Sequence, residues 1–258
     1  MKVHLLNYTN EAKDLLIFSK RTRHMANADA LEKVKSMTEA EKDKELDYVF
    51  NTIGSSWEFV SYTFLIEDVT RAFTHQLVRH RVGTAFAQQA MRVARMEDFG
   101  YLVPPKFSLA AVESYSNIMS NIQEGYDALL VEFDADQQDA RGVLPTNIHT
   151  NILFKVNLRA IADISHIRLC IRAQGEFQNV AFRMKKLIES VHPWAGRVLG
   201  PECIVNWRCA FPKYKQCPIK EMHLWLNGPA DEEIAEMNFQ WESITGYDPQ
   251  PDIVKSWE

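Results

Sequence analysis

Four basic side chains fall within the fourteen positions 79–92: Arg79, His80 and Arg81 side by side, then Arg92 after Gln88-Gln89-Ala90-Met91. An apolar, helix-like run adjoins them. Burying positive charge is costly unless an anion neutralises it. The whole chain carries a net charge of -5, so this local concentration of cations reads as a site for an anionic ligand, with phosphate the commonest biological candidate. Guanidinium forks bind phosphate and pyrophosphate oxygens in bidentate fashion. The competing reading is a solvated helix end, because basic residues near a helix C-terminus suit its dipole.

The elements around the cluster set its position. Val60, Tyr62, Phe64 and Ile66 alternate with Ser61 and Thr63, so Phe59 to Ile66 reads as a strand. Asp68 or Thr70 then caps a helix running to about Arg79, with Val69, Ala72, Phe73 and Leu77 on one face. The basic triplet therefore ends a helix, and Gly83 turns the chain out of it. Gln88 to Val93 reads as a further strand. Upstream, Met1 to Asn7 alternates like a first strand. Residues 10–50 read as helical, with Thr38 and Glu41 as a capping box and a solvated charged face from Lys33 to Leu46. Downstream, Pro104-Pro105 breaks the chain, and Val112 to Phe133 makes a long amphipathic helix. Another helix is expected to start at Leu144-Pro145 and continue through Thr146 to Phe154. Two more cover 157–172 and 174–191. From Gly200 the texture shifts to cysteines, prolines and tryptophans, which divides the chain into residues 1–199 and an extension, 200–258.

Composition bounds the function. With 46% apolar and 24% charged residues, the chain has the make-up of an ordinary globular protein. Its acidic balance argues against a general nucleic-acid binder. The N-terminus lacks the order of a signal peptide, and no apolar run reaches the length of a membrane span. Four cysteines without a secretory signal point to a reducing compartment, so the cytoplasm is expected.

The order strand, helix, Arg79-His80-Arg81, loop, Gln89-Ala90-Met91-Arg92 resembles the flavin-dependent thymidylate synthases, whose signature is RHRxxSxNxxSxRY. Ser55-Ser56-Trp57-Glu58-Phe59 followed by Tyr62-Thr63-Phe64 is similar to that family's "TPFEH…FTF" segment, and Gln76 stands where the family has a glutamine. Leu144-Pro145, Val156-Asn157-Leu158-Arg159, Arg168 and Ala173-Gln174-Gly175-Glu176 match its LP, VNxR, LR and AQxE landmarks in order. Pro193-Trp194 closes a resemblance that covers roughly residues 1–196.

The resemblance implies an α+β fold, a central antiparallel sheet flanked by helices. It implies FAD as cofactor, methylenetetrahydrofolate and NADPH as co-substrates, and transfer and reduction of a one-carbon unit onto C5 of dUMP, giving dTMP. It also implies a homotetramer whose active sites are shared between subunits. Arg79, His80 and Arg168 would be catalytic. Ser55, Glu58, Arg79, His80, Arg81, Asn157 and Arg159 would hold the flavin. Gln76, Gln89, Ala90, Arg92, Asn151 and Arg168 would line the nucleotide pocket.

Departures concentrate in that pocket. The family's second signature serine falls on Ala90, its asparagine and the acidic neighbour on Ala87 and Gln88, and its tyrosine on Val93. A second phosphate-binding arginine aligns with Asn151. Each lost charge-assisted hydrogen bond is worth about 1.5–3 kcal/mol, so dUMP affinity is expected to fall unless Arg71, Arg95 or Arg172 substitutes. Two alternatives stay open: the same machinery acting on a different pyrimidine nucleotide, including hydroxymethylation, and a non-catalytic flavin-binding member. In the tail, Cys203, Cys209 and Cys217 with His223 are a ligand set that zinc would accept, but their spacings are not paired CxxC and no metal is assigned. Cys170 lies in a helical apolar stripe and reads as core.

Overall fold

The computed structural model describes residues 1–23 and 27–206, together with residues 208, 209, 211, 213, 214 and 217. Its strands are β1 (Lys2–Tyr8), β2 (Ser61–Thr70), β3 (Thr84–Gln88) and β4 (His149–Asn157). They form one antiparallel sheet in the order β1-β2-β4-β3. Backbone bonds fix the register. Leu158 donates to Val60 and Arg71 to Ile148 across β2 and β4, while Asn157 donates to Gly83 and Gln89 to Asn151 across β4 and β3. The paired numbers run in opposite senses, as antiparallel strands require.

The helices are α1 (Ala12–Arg21), α2 (Ala28–Lys35), α3 (Glu39–Thr52), α4 (Arg71–Leu77), α5 (Leu109–Val131), α6 (Gln137–Ala140), α7 (Leu158–Arg168), α8 (Gly175–Val191) and α9 (Glu202–Val205). Local chemistry accounts for several boundaries. Thr38 and Glu41 close the expected capping box on α3. Thr70, not Asp68, caps α4: its hydroxyl accepts from the Phe73 N–H at 3.0 Å. Asp68 instead sits inside β2 with a left-handed φ of 53°. Gly83 takes φ 71°, the turn after the basic triplet.

Three expectations are corrected. The helix expected through Thr146–Phe154 is strand β4, in which Thr150, Ile152, Phe154 and Val156 are buried alternately. Ile148, Ile152 and Val156 also recur at a helical spacing, and pairing on both sides with β2 and β3 decides for the strand. The strand expected at Gln88–Val93 lies earlier, at Thr84–Gln88, and the chain turns after it. The charged face of α3 is not wholly solvated. Lys42 is buried, and its ammonium meets Asp14 of α1 at 2.7 Å, because a buried ammonium needs a counter-charge.

Two compact units divide the chain. One comprises Met1–Lys2, Leu65–Arg79 and Phe86–Phe154; the other Val3–Phe64, His80–Ala85 and the described residues from Lys155 on. In the first, Met91, Met96, Phe99, Met119, Tyr126, Ala140 and Ile148 form a core under α5. In the second, α8 buries Phe177, Val180, Phe182, Met184, Leu187 and Ile188, and α7 buries Leu158, Ile161 and Ile164.

The second unit also holds an aromatic cluster around the buried His192. Its Nδ1 shares a 3.0 Å hydrogen bond with the Tyr62 hydroxyl. Trp194 stacks on the imidazole at 5.0 Å, and Tyr8 meets it edge-on at 5.4 Å. Burial pushes the His192 pKa from 6.5 down to about 4 and raises that of Tyr62. The folded protein therefore holds His192 neutral while the unfolded chain protonates it. Stability from this site is complete above pH 6.5 and is lost as pH falls toward 4. The slope of unfolding free energy against pH over that window, followed by denaturant titration, should flatten in His192→Gln relative to the parent chain.

Candidate functional site

Within the second unit, landmarks far apart in sequence meet. Gly83, which ends the Arg79-His80-Arg81 turn, accepts a 2.9 Å hydrogen bond from the backbone N–H of Asn157. The Asn157 side chain lies so close to Gly83 that any Cβ there would collide with its amide. Asn157 also caps α7, its Oδ1 accepting from the Ala160 N–H at 2.8 Å. The asparagine expected to touch flavin thus fastens the basic loop to the start of α7. Two residues on, Arg159 reaches the 3-10 turn Gly54–Phe59 and pairs with Glu58 at 2.8 Å. Both partners are half exposed, and Ser55 in the same turn is exposed.

At the other end of α7, the Arg168 guanidinium lies 4.4 Å over the Phe177 ring, and His80 meets that ring edge-on at 6.1 Å. Phe177 is fully buried at the start of α8. Desolvation lowers the His80 pKa, and the Arg168 charge lowers it further against an opposing pull from Asp163. Burial also lowers the pKa of Arg168. At neutral pH the imidazole is therefore uncharged, and its Nε2 is buried with no hydrogen-bond partner among the described residues. A buried, unmatched ring nitrogen is costly in a closed core and suits a site that receives a polar ligand.

The Arg79 and Arg81 side chains are exposed. Arg79 belongs to the first unit, as do Gln76, Gln89, Ala90, Arg92 and Asn151. Among these, Gln89, Ala90 and Arg92 are exposed on the turn after β3. Asn151 is already occupied: its Oδ1 accepts the N–H of Asp68 at 3.0 Å. It satisfies the backbone where left-handed Asp68 interrupts β2. An arginine cannot accept that hydrogen bond, so Asn151 serves the strand. Gln88, at the family's acidic position, donates to the Thr74 hydroxyl at 2.8 Å.

Of the three arginines named as substitutes, two are engaged elsewhere. Arg95 pairs with Glu97 at 3.2 Å, and Arg172 lies over the rings of Phe211 and Tyr214. Arg71 is half-buried at the start of α4, and its pKa is lowered by burial and by the nearby Arg141 charge. Sequence reasoning passed over Arg141, since nothing in its spacing ties it to Arg71; the fold alone puts the two charges together. Such a pair of cations gains from an anion between them. Cys170 is also placed differently from expectation. It is half-buried and lines a cavity with Cys203, Cys209 and Cys217. Burial pushes the Cys203 thiol up to about 12. His223 lies outside the described residues.

The family model for thymidylate synthase complementing protein matches residues 4–194. Curated relatives include the flavin-dependent thymidylate synthases of Sulfurisphaera tokodaii, 35% identical over 210 residues (80% of each chain), and of Clostridium tetani, 30% identical over 227 residues (81% of this chain, 90% of that one). Among solved structures, the flavin-dependent thymidylate synthase ThyX of Helicobacter pylori, complexed with FAD and dUMP, shares the fold with a TM-score of 0.60. It is 20% identical, and the match covers 76% of this chain and 97% of that one. The chain belongs to the flavin-dependent thymidylate synthase family.

If Asn157 fastens the loop, removing its side chain costs stability. Asn157→Ala should lower unfolding free energy by about 1 kcal/mol through the lost cap, and Gly83→Ala should lower it further because φ there is positive and the Cβ has no room. Glu58→Gln, at a half-exposed pair, should change it by less than about 1 kcal/mol. Denaturant midpoints at constant slope report all three.

Proposed function

We propose that the chain transfers a one-carbon unit from methylenetetrahydrofolate to C5 of dUMP and reduces it, giving dTMP, with FAD as cofactor and NADPH as the ultimate reductant. The observation that carries this reading is the convergence of three family landmarks in one unit: the loop of His80 and Arg81 on Asn157, and His80 with Arg168 on Phe177. The relatives named for this activity support it.

The residues present fit FAD. Its pyrophosphate would meet the exposed guanidiniums of Arg79 and Arg81, and an isoalloxazine edge would give His80 Nε2 the partner it lacks. Ser55, Glu58 and Arg159 would border the same ligand, with Asn157 holding the loop in place. FAD supplies the hydride that reduces the transferred carbon. The protein's part is to bind and orient. Neutral His80 can donate or accept one hydrogen bond without adding charge, while Arg168, held over Phe177, would supply a cation for an anionic ligand. Gln76, Gln89 and Arg92 would border the nucleotide. With Ala90 lacking a hydroxyl and Asn151 committed to Asp68, Arg71 and Arg141 take over the phosphate. The exposure of Arg79 and Arg81 in a single chain accords with active sites completed by neighbouring subunits in a homotetramer, and the chemistry needs neither membrane nor nucleic acid. Among the described residues no helix is long and apolar enough to cross a membrane; the cytoplasm, where dUMP and reduced folate would be drawn on, is the compartment proposed.

Because Ala90 and Asn151 depart from the family's pocket, one variant of this reading is the same machinery applied to another pyrimidine nucleotide. Purified protein incubated with NADPH, methylenetetrahydrofolate and dUMP, dCMP or UMP separates them by product mass. A gain of CH2 on dUMP supports the proposal, a gain of CH2O signals hydroxymethylation, and a colourless protein that cannot be loaded with FAD overturns both. Arg79→Ala should lower kcat/KM by roughly 10- to 150-fold, the equivalent of one charge-assisted hydrogen bond. Arg71→Ala should raise KM for the nucleotide and leave bound flavin unchanged. Ala90→Ser should tighten dUMP if that is the substrate.

A further inference from the structure

All four cysteines of the chain line one cavity of about 20 Å³, the space of a single water molecule or ion. They reach it from separate places: Cys170 just beyond α7, Cys203 in α9, and Cys209 and Cys217 from the segment after it. Three of them lie outside the stretch that matches the family. None is in a disulfide. We propose that Cys170, Cys203, Cys209 and Cys217 bind one structural zinc ion, which fastens the segment after Gly200 to the end of α7.

Four sulfur donors around a space of ionic size match the tetrahedral, thiolate-rich sites that zinc prefers. Two of the sulfurs are already oriented by backbone amides two residues further on. The Phe211 N–H donates to Cys209 Sγ at 3.4 Å, and the Arg172 backbone bonds the Cys170 thiol. Hydrogen bonds of this kind from outside the coordination shell orient ligands and temper their charge. A zinc ion with four thiolates carries a net charge of -2, and the Arg172 cation stands on the cavity wall to offset it. Arg172 also lies over the Phe211 and Tyr214 rings at 4.5 and 4.9 Å, holding the same segment.

His166 is a fifth donor on the wall: its Nδ1 is held by Glu202 at 3.2 Å, and its Nε2 is buried with no hydrogen-bond partner among the described residues. Zinc takes four ligands in structural sites, and the four softer thiolates fill them. As placed, no three donors among the described residues already form a metal cage, so binding draws the sulfurs inward to about 2.3 Å from the ion. The alternative, a cluster of inert buried thiols, leaves unexplained why every cysteine of the chain borders the same gap. Arg168 lies two residues before Cys170, so the ion would also steady the end of α7 that carries it.

The full chain, purified without chelator, should contain about one zinc per chain by elemental mass spectrometry. Replacement by cobalt should give the intense visible bands of a tetrahedral thiolate site. Cys170→Ser and Cys209→Ser should each lose most of the metal and melt at lower temperature, whereas His166→Ala should retain it. Because a serine variant could fail to fold, the parent protein supplies a second readout. Its four thiols should react with a disulfide reagent only slowly until a mercurial releases zinc in step with their modification. Metal-free protein with four freely reactive thiols overturns the proposal. So does a mass lower by two hydrogens per disulfide, or a brown iron-sulfur chromophore.

Discussion

The meeting of Gly83 with Asn157 is the constraint on which the site depends. One backbone hydrogen bond and the missing Cβ of a glycine let the strand-edge turn lie directly against the residue that caps α7. That contact joins a basic loop to a helix more than seventy residues further along the chain. Asn157 performs three tasks at once, as last residue of β4, as cap and as wall against the turn. Any side chain at position 83 would force the two apart, and the basic residues would then occupy a different place relative to α7 and Arg159.

Charge is handled differently in the two units. In the second, burial keeps His80 neutral beside a guanidinium and an aromatic ring. The desolvation that depresses the imidazole is the same that leaves its Nε2 without a partner, so electrostatics and hydrogen bonding point to one requirement, a polar ligand. In the first unit, the Asn151 side chain serves the backbone. The left-handed Asp68 exposes a backbone N–H within β2, and an amide oxygen from β4 answers it. In the same unit the fold brings Arg71 and Arg141 close enough to feel each other.

Much of this was legible beforehand because it depends on near neighbours. The capping box at Thr38 and Glu41, the Thr70 cap, the turn at Gly83 and the alternation of β2 all arise from interactions within a few residues. The family landmarks were legible for a related reason: each is a short run of residue types, read without its partners. The segment after Leu144-Pro145 was not legible. Ile148, Ile152 and Val156 fit a helical spacing as well as a strand's, and only ladder partners on both sides distinguish the two. The buried pair of Lys42 with Asp14 was hidden as well, since the acid comes from α1.

The amino-acid order by itself determined which residues could bind an anionic, flavin-like ligand and where most helices begin, because those features are written in local spacing and chemical type. Tertiary structure alone decided which of those residues are free to act. It engaged Asn151 and Asn157 with the backbone, left Arg79 and Arg81 exposed, and gathered four cysteines from three separate stretches around one cavity. Hydrogen-bond partners and burial are relations between distant parts of the chain, and no window of sequence contains them.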